Sequence, residues 1–380
     1  MHKIASIAFL IFPPAIGAIG QNNALLNTTQ YNWAYFESQI EKARIKYHIP
    51  GLSAGVVKGG KLIWSKGFGY SDIENKITPD ENTTYQIASV SKTFASIVLM
   101  QLVEEGKVSL DDPVAKYGVN LGGRWGGDQR IKVKHLLTHT AMGNSLNAFK
   151  PGYSFRYNGD WYARLTRVIK KSSGKQYGEL LMNQIVNPLK MTCTTPSTDD
   201  TTNFRLSGFN RTDYLGRTAK PYDWQHHKFS PVNYKYSFSA AAGIMSCVSD
   251  LAKYAIAVEQ KKFLKADTWE QVFTPFKTHN GKEIQYGLGW FVKEYNGRKI
   301  IWHTGWWTGY SALFILVPEE ELAFIILANS QDLSRPFYHI ITPIPGIGFF
   351  NPFSKNLNSS VMASRFGRAF IEEFVDGGKK

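Results

Sequence analysis

Two short strand-like runs near the start of the chain constrain its fold most. Residues 52–57 and 62–70 alternate or run apolar on either side of Gly59-Gly60, a hairpin signal. A hairpin standing alone is marginal in water, because nothing covers its apolar face. These strands therefore need partners from elsewhere. Matching runs lie far downstream, at 286–295, 298–303, 310–317 and 322–329. They are separated by Asn296-Gly297, by the 305–309 segment and by Pro318-Glu-Glu-Glu321. Asn-Gly between such runs is a strong hairpin signal. One antiparallel sheet assembled from both ends of the chain satisfies the pattern. Helices over 31–47 and 359–374 would cover it.

The stretch between reads differently. Residues 106–280 carry helical periodicity at 161–170, 177–185 and 249–260, the last with Ser249 as cap, broken by Thr-, Gly- and aromatic-rich loops. The fold expected is α/β (α+β): a discontinuous sheet domain, 31–105 with 281–380, and an inserted, mainly helical, loop-rich domain. A length of 380 residues with 43% hydrophobic content supports such a core, and 14% aromatic content argues against disorder. The segment 338–353 is too irregular for a helix and too apolar for a free loop. Core packing is its plainer reading, and a substrate rim or membrane-touching loop the other.

Met1-His-Lys3 followed by an apolar run to Gly20, with small residues at Ala18 and Gly20, reads as a cleaved secretory signal over 1–20. The run is short for a span and holds Pro13-Pro14, so export to the periplasm or medium is expected rather than anchoring. The net charge of +14 fits a protein working near an acidic envelope, with weak wall or membrane-surface association. Basic blocks, zinc-finger spacing and an RNP-like aromatic pair are missing, which excludes nucleic acid as the partner. Cys193 and Cys247 permit one disulfide; two buried free thiols are the simpler reading for so long a chain.

The chemistry gathers around Tyr85-Gln-Ile-Ala-Ser89-Val-Ser-Lys92. The run beyond Lys92, as far as Glu105-Gly106, is periodic and helical. Ser89 falls at the helix start, where free backbone N–H groups and the positive dipole end meet a reacting oxygen. Lys92 lies three residues on, along the same face. A buried lysine can lose its proton and activate the adjacent hydroxyl. Alone, this Ser-x-x-Lys spacing is a weak signal. Two further elements add to it: the turn Pro151-Gly-Tyr-Ser-Phe-Arg-Tyr157-Asn158-Gly159, which delivers a tyrosine able to relay protons, and a strand ending Trp302-His303-Thr304-Gly305-Trp306 that could line the same groove. Gly305 would let a substrate backbone approach.

With these motifs the chain resembles serine β-lactamase-related enzymes of the class C type, which include D-alanyl-D-alanine carboxypeptidases, D-amino-acid amidases and lactamase-like esterases. The resemblance spans about 35–330 and takes in Gly67-Phe-Gly-Tyr70, Leu110-Asp-Asp-Pro113, His135-Leu-Leu-Thr-His-Thr140, Asp250-Leu-Ala and Tyr286-Gly-Leu-Gly-Trp290. It implies a β-lactamase/transpeptidase-like fold, with Ser89 as nucleophile, Lys92 as its activator and Tyr157 as general base and acid. His303, Thr304 and Gly305 would form the substrate-side strand, with backbone N–H groups of Ser89 and Trp306 as the oxyanion hole. Two positions depart from the family pattern. Gly159 stands where its Tyr-x-Asn box carries Asn, leaving Asn158 one place early. His303 replaces the Lys of the Lys-Thr-Gly box and, mostly neutral near pH 7, would hold a substrate carboxylate less firmly.

The implied function is acyl transfer from an amide or ester through an acyl-enzyme. A D-amino-acid-containing peptide or related amide ranks first as substrate, then a small ester, then a β-lactam; a non-catalytic wall- or peptide-binding module is the alternative. No cofactor is implied. Gly51-Leu-Ser53-Ala-Gly55 mimics a nucleophile elbow but has a strand after its serine, where that elbow needs a helix. His135 with His139, and His226-His227, lack a metal-binding context, and the first pair reads as structural.

Overall fold

A computed structural model describes residues 31–121, 128–141, 150–198, 201–233, 237–337 and 360–378. The expected signal segment and the 338–353 segment lie outside them. Six antiparallel strands form the main sheet: β1 (Gly51–Lys58), β2 (Lys61–Gly69), β3 (Phe291–Tyr295), β4 (Arg298–Trp307), β5 (Tyr310–Val317) and β6 (Leu322–Ala328). Their spatial order is β2-β1-β6-β5-β4-β3. The join between the two ends of the chain is β1 against β6, in register from Leu52 opposite Ala328 to Lys58 opposite Leu322.

Both faces of this sheet are covered, so its inner strands are apolar throughout. Side chains alternate between faces. On β6, Leu322, Phe324 and Ile326 pack in one core with Phe36, Ile40, Phe366, Phe370 and Phe374. These come from helix α1 (Trp33–Lys46) and the C-terminal helical run Arg365–Phe370 with its extension Ile371–Val375. Asn32 caps α1 by accepting from Tyr35 N at 3.0 Å, and its own N–H donates to Glu373 Oε1 at 2.6 Å, tying the first helix to the last. The intervening residues Ala323, Ile325 and Leu327 belong to the second core, shared with the inserted helical block. At its centre runs helix α2 (Ser91–Glu104), buried from Ser91 through Met100. A helix buried on all sides is a core element, not a surface one.

Three local expectations change. The run 286–295 is a strand only from Phe291, because Gly287 N bonds back to Trp290 O at 2.8 Å and Gly289 takes φ +90°. The strand after Asn296-Gly297 continues past His303 to Trp307, with Gly305 paired to Ala312 instead of opening a loop. Ser249 is not a helix cap: Val248–Glu259 begins after Cys247, and Ser249 Oγ donates to Asn82 Oδ1 at 2.8 Å. His226-His227 forms the turn of a hairpin, Tyr222–Gln225 with Lys228–Pro231, both residues in left-handed backbone. Among the described residues no helix is long and apolar enough to cross a membrane.

Candidate active site

Backbone contacts fix the turn that carries Ser89. The two-residue strand Tyr85–Gln86 pairs with Met245–Ser246, and Ile87 N donates to Ile244 O at 3.0 Å. Ala88 then takes φ +47°, left-handed backbone that a side chain disfavours by about 1–2 kcal/mol. The Gln86 side chain supports it, accepting from Ala88 N at 2.8 Å. A single 3-10 turn, Ala88–Val90, leads into α2. From the other side the end of β4 presses on this turn. A Cβ on Gly305 would stand 2.3 Å from Ile87 O. The close approach that Gly305 permits is therefore made by the chain's own turn, a reason for this glycine different from the substrate contact its sequence context suggested.

Lys92 extends from the first turn of α2, 1% exposed. Its Nζ lies 2.9 Å from Ser89 Oγ and donates to Ala241 O, also at 2.9 Å. The rings of Tyr157 and Tyr162 flank it, with centroids 5.1 and 5.3 Å away. Burial penalises the ammonium and pushes its pKa down to about 7, against the charge of Asp160. Near neutrality a share of the amine is unprotonated, and in that form it can accept the Ser89 Oγ proton.

Opposite Lys92, His303 is fully buried on β4. Its Nδ1 lies 2.6 Å from Thr304 O, and its Nε2 lies 3.0 Å from Tyr286 Oη. A carbonyl can only accept, so Nδ1 bears the proton and Nε2 accepts from the phenol. Burial, then the neighbouring Lys92, lowers the imidazole pKa to about 3. His303 is thus a neutral group with both nitrogens engaged. The Tyr157 ring stands 6.2 Å from the His303 ring, stacks 6.4 Å from Phe291, and lies 4.1 Å from the ring of His139.

Ser89, Lys92, Tyr157 and His303 are therefore brought together, drawn from the 3-10 turn, α2, the 150–158 loop and β4. The remaining candidates are placed otherwise. Asn158 caps the short helix Gly159–Ala163, its Oδ1 accepting from Trp161 N at 3.0 Å. A side chain at Gly159 would meet open space. Thr304 turns to the far side of β4, bonding Ser334 Oγ at 2.7 Å and Ala312 O at 3.2 Å. Trp306 is half-buried at the strand end, opposite Ser311.

Four participants were not given a role at the site from sequence: Ala241 through its carbonyl, Tyr162, and two residues seen only as parts of the family motifs, Tyr286 and His139, the latter read as structural. Only a weak signal pointed to the first, the small-residue run before Gly243. That glycine takes φ +113°, and a Cβ there would stand 2.0 Å from Ser237 O. Elsewhere, Cys193 and Cys247 are free and buried, with side-chain donor atoms within 4.8 Å of each other and of Asp250. Asp250 is already taken up by Lys253 at 2.9 Å, Thr194 Oγ1 at 2.9 Å and Cys193 N at 2.6 Å. Arg217 Nη1 approaches Cys193 Sγ at 3.7 Å. The cluster is thus neutralised by the protein's own cations, a poor setting for a metal ion.

Comparison with known proteins agrees with this architecture. The family described as Beta-lactamase matches residues 36–339, and the chain belongs to it. The family lies in a superfamily of serine hydrolases and penicillin-binding-protein-like chains acting on amide and ester bonds. Protein flp of Staphylococcus aureus is 27% identical over 357 residues, covering 84% of this chain and 68% of that protein. Penicillin-binding protein 4* of Bacillus subtilis is 25% identical over 346 residues, covering 78% of this chain and 72% of that one. The octameric penicillin-binding protein homologue from Pyrococcus abyssi shares the fold at a TM-score of 0.70, with 24% identity over 90% of this chain and 77% of its own.

Proposed function

We propose that the protein is a serine hydrolase working through an acyl-enzyme on Ser89. The observation that carries the reading is the buried Lys92 amine, 2.9 Å from Ser89 Oγ and with its charged form disfavoured. Neutral Lys92, with Tyr157 beside it, takes the Ser89 proton as Oγ attacks the substrate carbonyl. The backbone N–H groups of Ser89 and Trp306 receive the oxyanion. The proton passes to the departing amine or alcohol, and water, activated by the same pair, releases the acid. A small molecule or peptide is the substrate.

Neutral His303, engaged with Tyr286, offers no fixed positive charge to a substrate carboxylate. That supports a D-amino-acid-containing peptide or amide whose flanking group is uncharged. A second reading, a small ester, draws on Asn158 and Gly159. With the Asn158 oxygen spent on a helix cap and no side chain at Gly159, an amide would lack a polar contact that an ester does not need. A β-lactam ranks below both. The sheet residues 31–105 and 281–380 act as one unit, with 106–280 as the inserted one. Residues 1–20 direct export, and the basic chain meets an acidic wall or membrane surface there.

The test is labelling by a fluorescent fluorophosphonate together with turnover of p-nitrophenyl esters and D-amino-acid amides. Ser89→Ala is expected to abolish labelling and lower kcat by at least ~10⁴-fold. Equal labelling of wild type and Ser89→Ala would defeat the assignment.

A further inference from the structure

We propose that His139 is a positioning residue that holds the Tyr157 phenol against the Ser89–Lys92 pair by gripping the peptide groups on both sides of Tyr157. The inference rests on the reading of Tyr157 as the group that moves the Ser89 proton. Arg156 N donates to His139 O at 2.8 Å, and Asn158 N donates to His139 Nδ1 at 3.1 Å. The residues immediately before and after Tyr157 are thus bonded to one histidine, through its backbone and its side chain. The same histidine lies against the phenol ring, centroids 4.1 Å apart and planes tilted 32°. One further bond, Gly152 N to Thr140 O at 2.8 Å, anchors the start of the 150–158 loop to the next residue along.

The fold needs no histidine here to end its helix. Val133–Leu137 has already stopped at Thr138, and His139 sits at φ +54°, a conformation glycine or asparagine adopts more cheaply. Strain of this kind persists where surrounding contacts over-determine a residue, and such residues cluster at functional sites. What histidine adds is the Nδ1 acceptor and the ring. Because Nδ1 accepts, the proton of the neutral ring lies on Nε2. The groups facing the ring are Tyr157, Tyr162, Tyr286 and Phe155, with neutral His303 nearby; burial, and then the adjacent Lys92, disfavour its protonation. It stays buried and neutral, so it can hold Tyr157 without adding charge beside Lys92.

The experiment measures p-nitrophenyl ester hydrolysis from about pH 5 to 9 by wild type, Ser89→Ala, Tyr157→Phe, His139→Gly and His139→Asn, with thermal melting of each. Glycine relieves the backbone but removes the acceptor and the ring. A misplacement near 1 Å costs ~10²-fold, so His139→Gly is expected to lose about that in kcat, with KM within ~3-fold and a displaced pH–rate profile. Asparagine tolerates the left-handed backbone and sets Oδ1 where Nδ1 stood, so His139→Asn is expected to recover ~10-fold of the loss. A His139→Gly variant with wild-type kcat and pH profile overturns the inference. So does His139→Asn as impaired as His139→Gly, with both losing rate only in step with melting temperature. Turnover that survives Ser89→Ala or Tyr157→Phe overturns the parent reading and takes this inference with it. Loss in both of those beside an unimpaired His139→Gly removes this inference alone.

Discussion

The two faces of the main sheet are built from the same strands but put to different use. Toward the terminal helices the alternating residues of β6, Leu322, Phe324 and Ile326, meet Phe36, Phe366, Phe370 and Phe374 in an aliphatic and aromatic core. Toward the inserted block the sheet meets α2, and there Lys92, His139 and His303 are buried among Tyr157, Tyr162 and Tyr286. Each fully buried apolar side chain on the first face contributes ~1.5–3 kcal/mol of cohesion. On the second face burial serves to hold ionisable groups in their neutral forms, which lowers stability in order to set reactivity. The contrast teaches that one sheet can separate holding together from reacting by a period of two along its strands.

The sharpest break of this contrast is Lys92→Met. It is expected to lower kcat by ~10³-fold or more while leaving the melting temperature unchanged or raised, since an apolar side chain of similar length replaces a buried amine. A loss of stability comparable to that of a core truncation would erase the distinction between the faces. The opposite experiment is Phe324→Ala, expected to cost about 3–5 kcal/mol in urea unfolding with kcat of the folded protein intact. A fall in kcat without that destabilisation would show the far face coupled to the Ser89–Lys92 pair.

The third test uses acid. His303 and His135 have folded pKa values near 3 and 4, and that of His139 lies well below its ordinary 6.5, each chiefly because burial disfavours the charged ring. Between pH ~6.5 and ~4 the unfolded chain takes up protons that the folded chain refuses, so stability falls as pH falls through that window. His303 and His135 should each withdraw about 2 kcal/mol by pH ~5, and His139 adds in the same direction, read as the shift in urea midpoint between pH 7 and 5. Phe324→Ala should leave the slope unchanged, and His303→Gln should reduce it. An unaltered slope in His303→Gln would count against the buried neutral ring.

Much of this arrangement was legible in the sequence because its signals are local or periodic. Ser89 and Lys92 sit three apart across the 3-10 turn and the first turn of α2, and the near-continuous apolar runs of β5 and β6, with Asn296-Gly297, mark strands that need the early hairpin. What was hidden depends on contacts between distant segments. Nothing around Tyr286 announces that its hydroxyl sets the tautomer of His303, and little around Ala241 announces that its carbonyl accepts a hydrogen bond from Lys92. Gly305 was noticed, but the atom it makes room for, Ile87 O, is a product of the tertiary fold. Ser249 fits the cap preference by residue type, yet Asn82 claims its hydroxyl from across the molecule.

The pairing of β1 with β6 carries a consequence for synthesis. Leu52 waits for Ala328, and Lys58 for Leu322, before the first hairpin gains its neighbour. A growing chain released from the ribosome in order holds the serine long before the strand that presses its turn into shape. Contacts so distant along the chain are slow to form and leave partly made intermediates exposed. No fragment that stops short of Ala328 can complete the sheet, so whatever chemistry resides at Ser89 stays silent until synthesis has passed that residue.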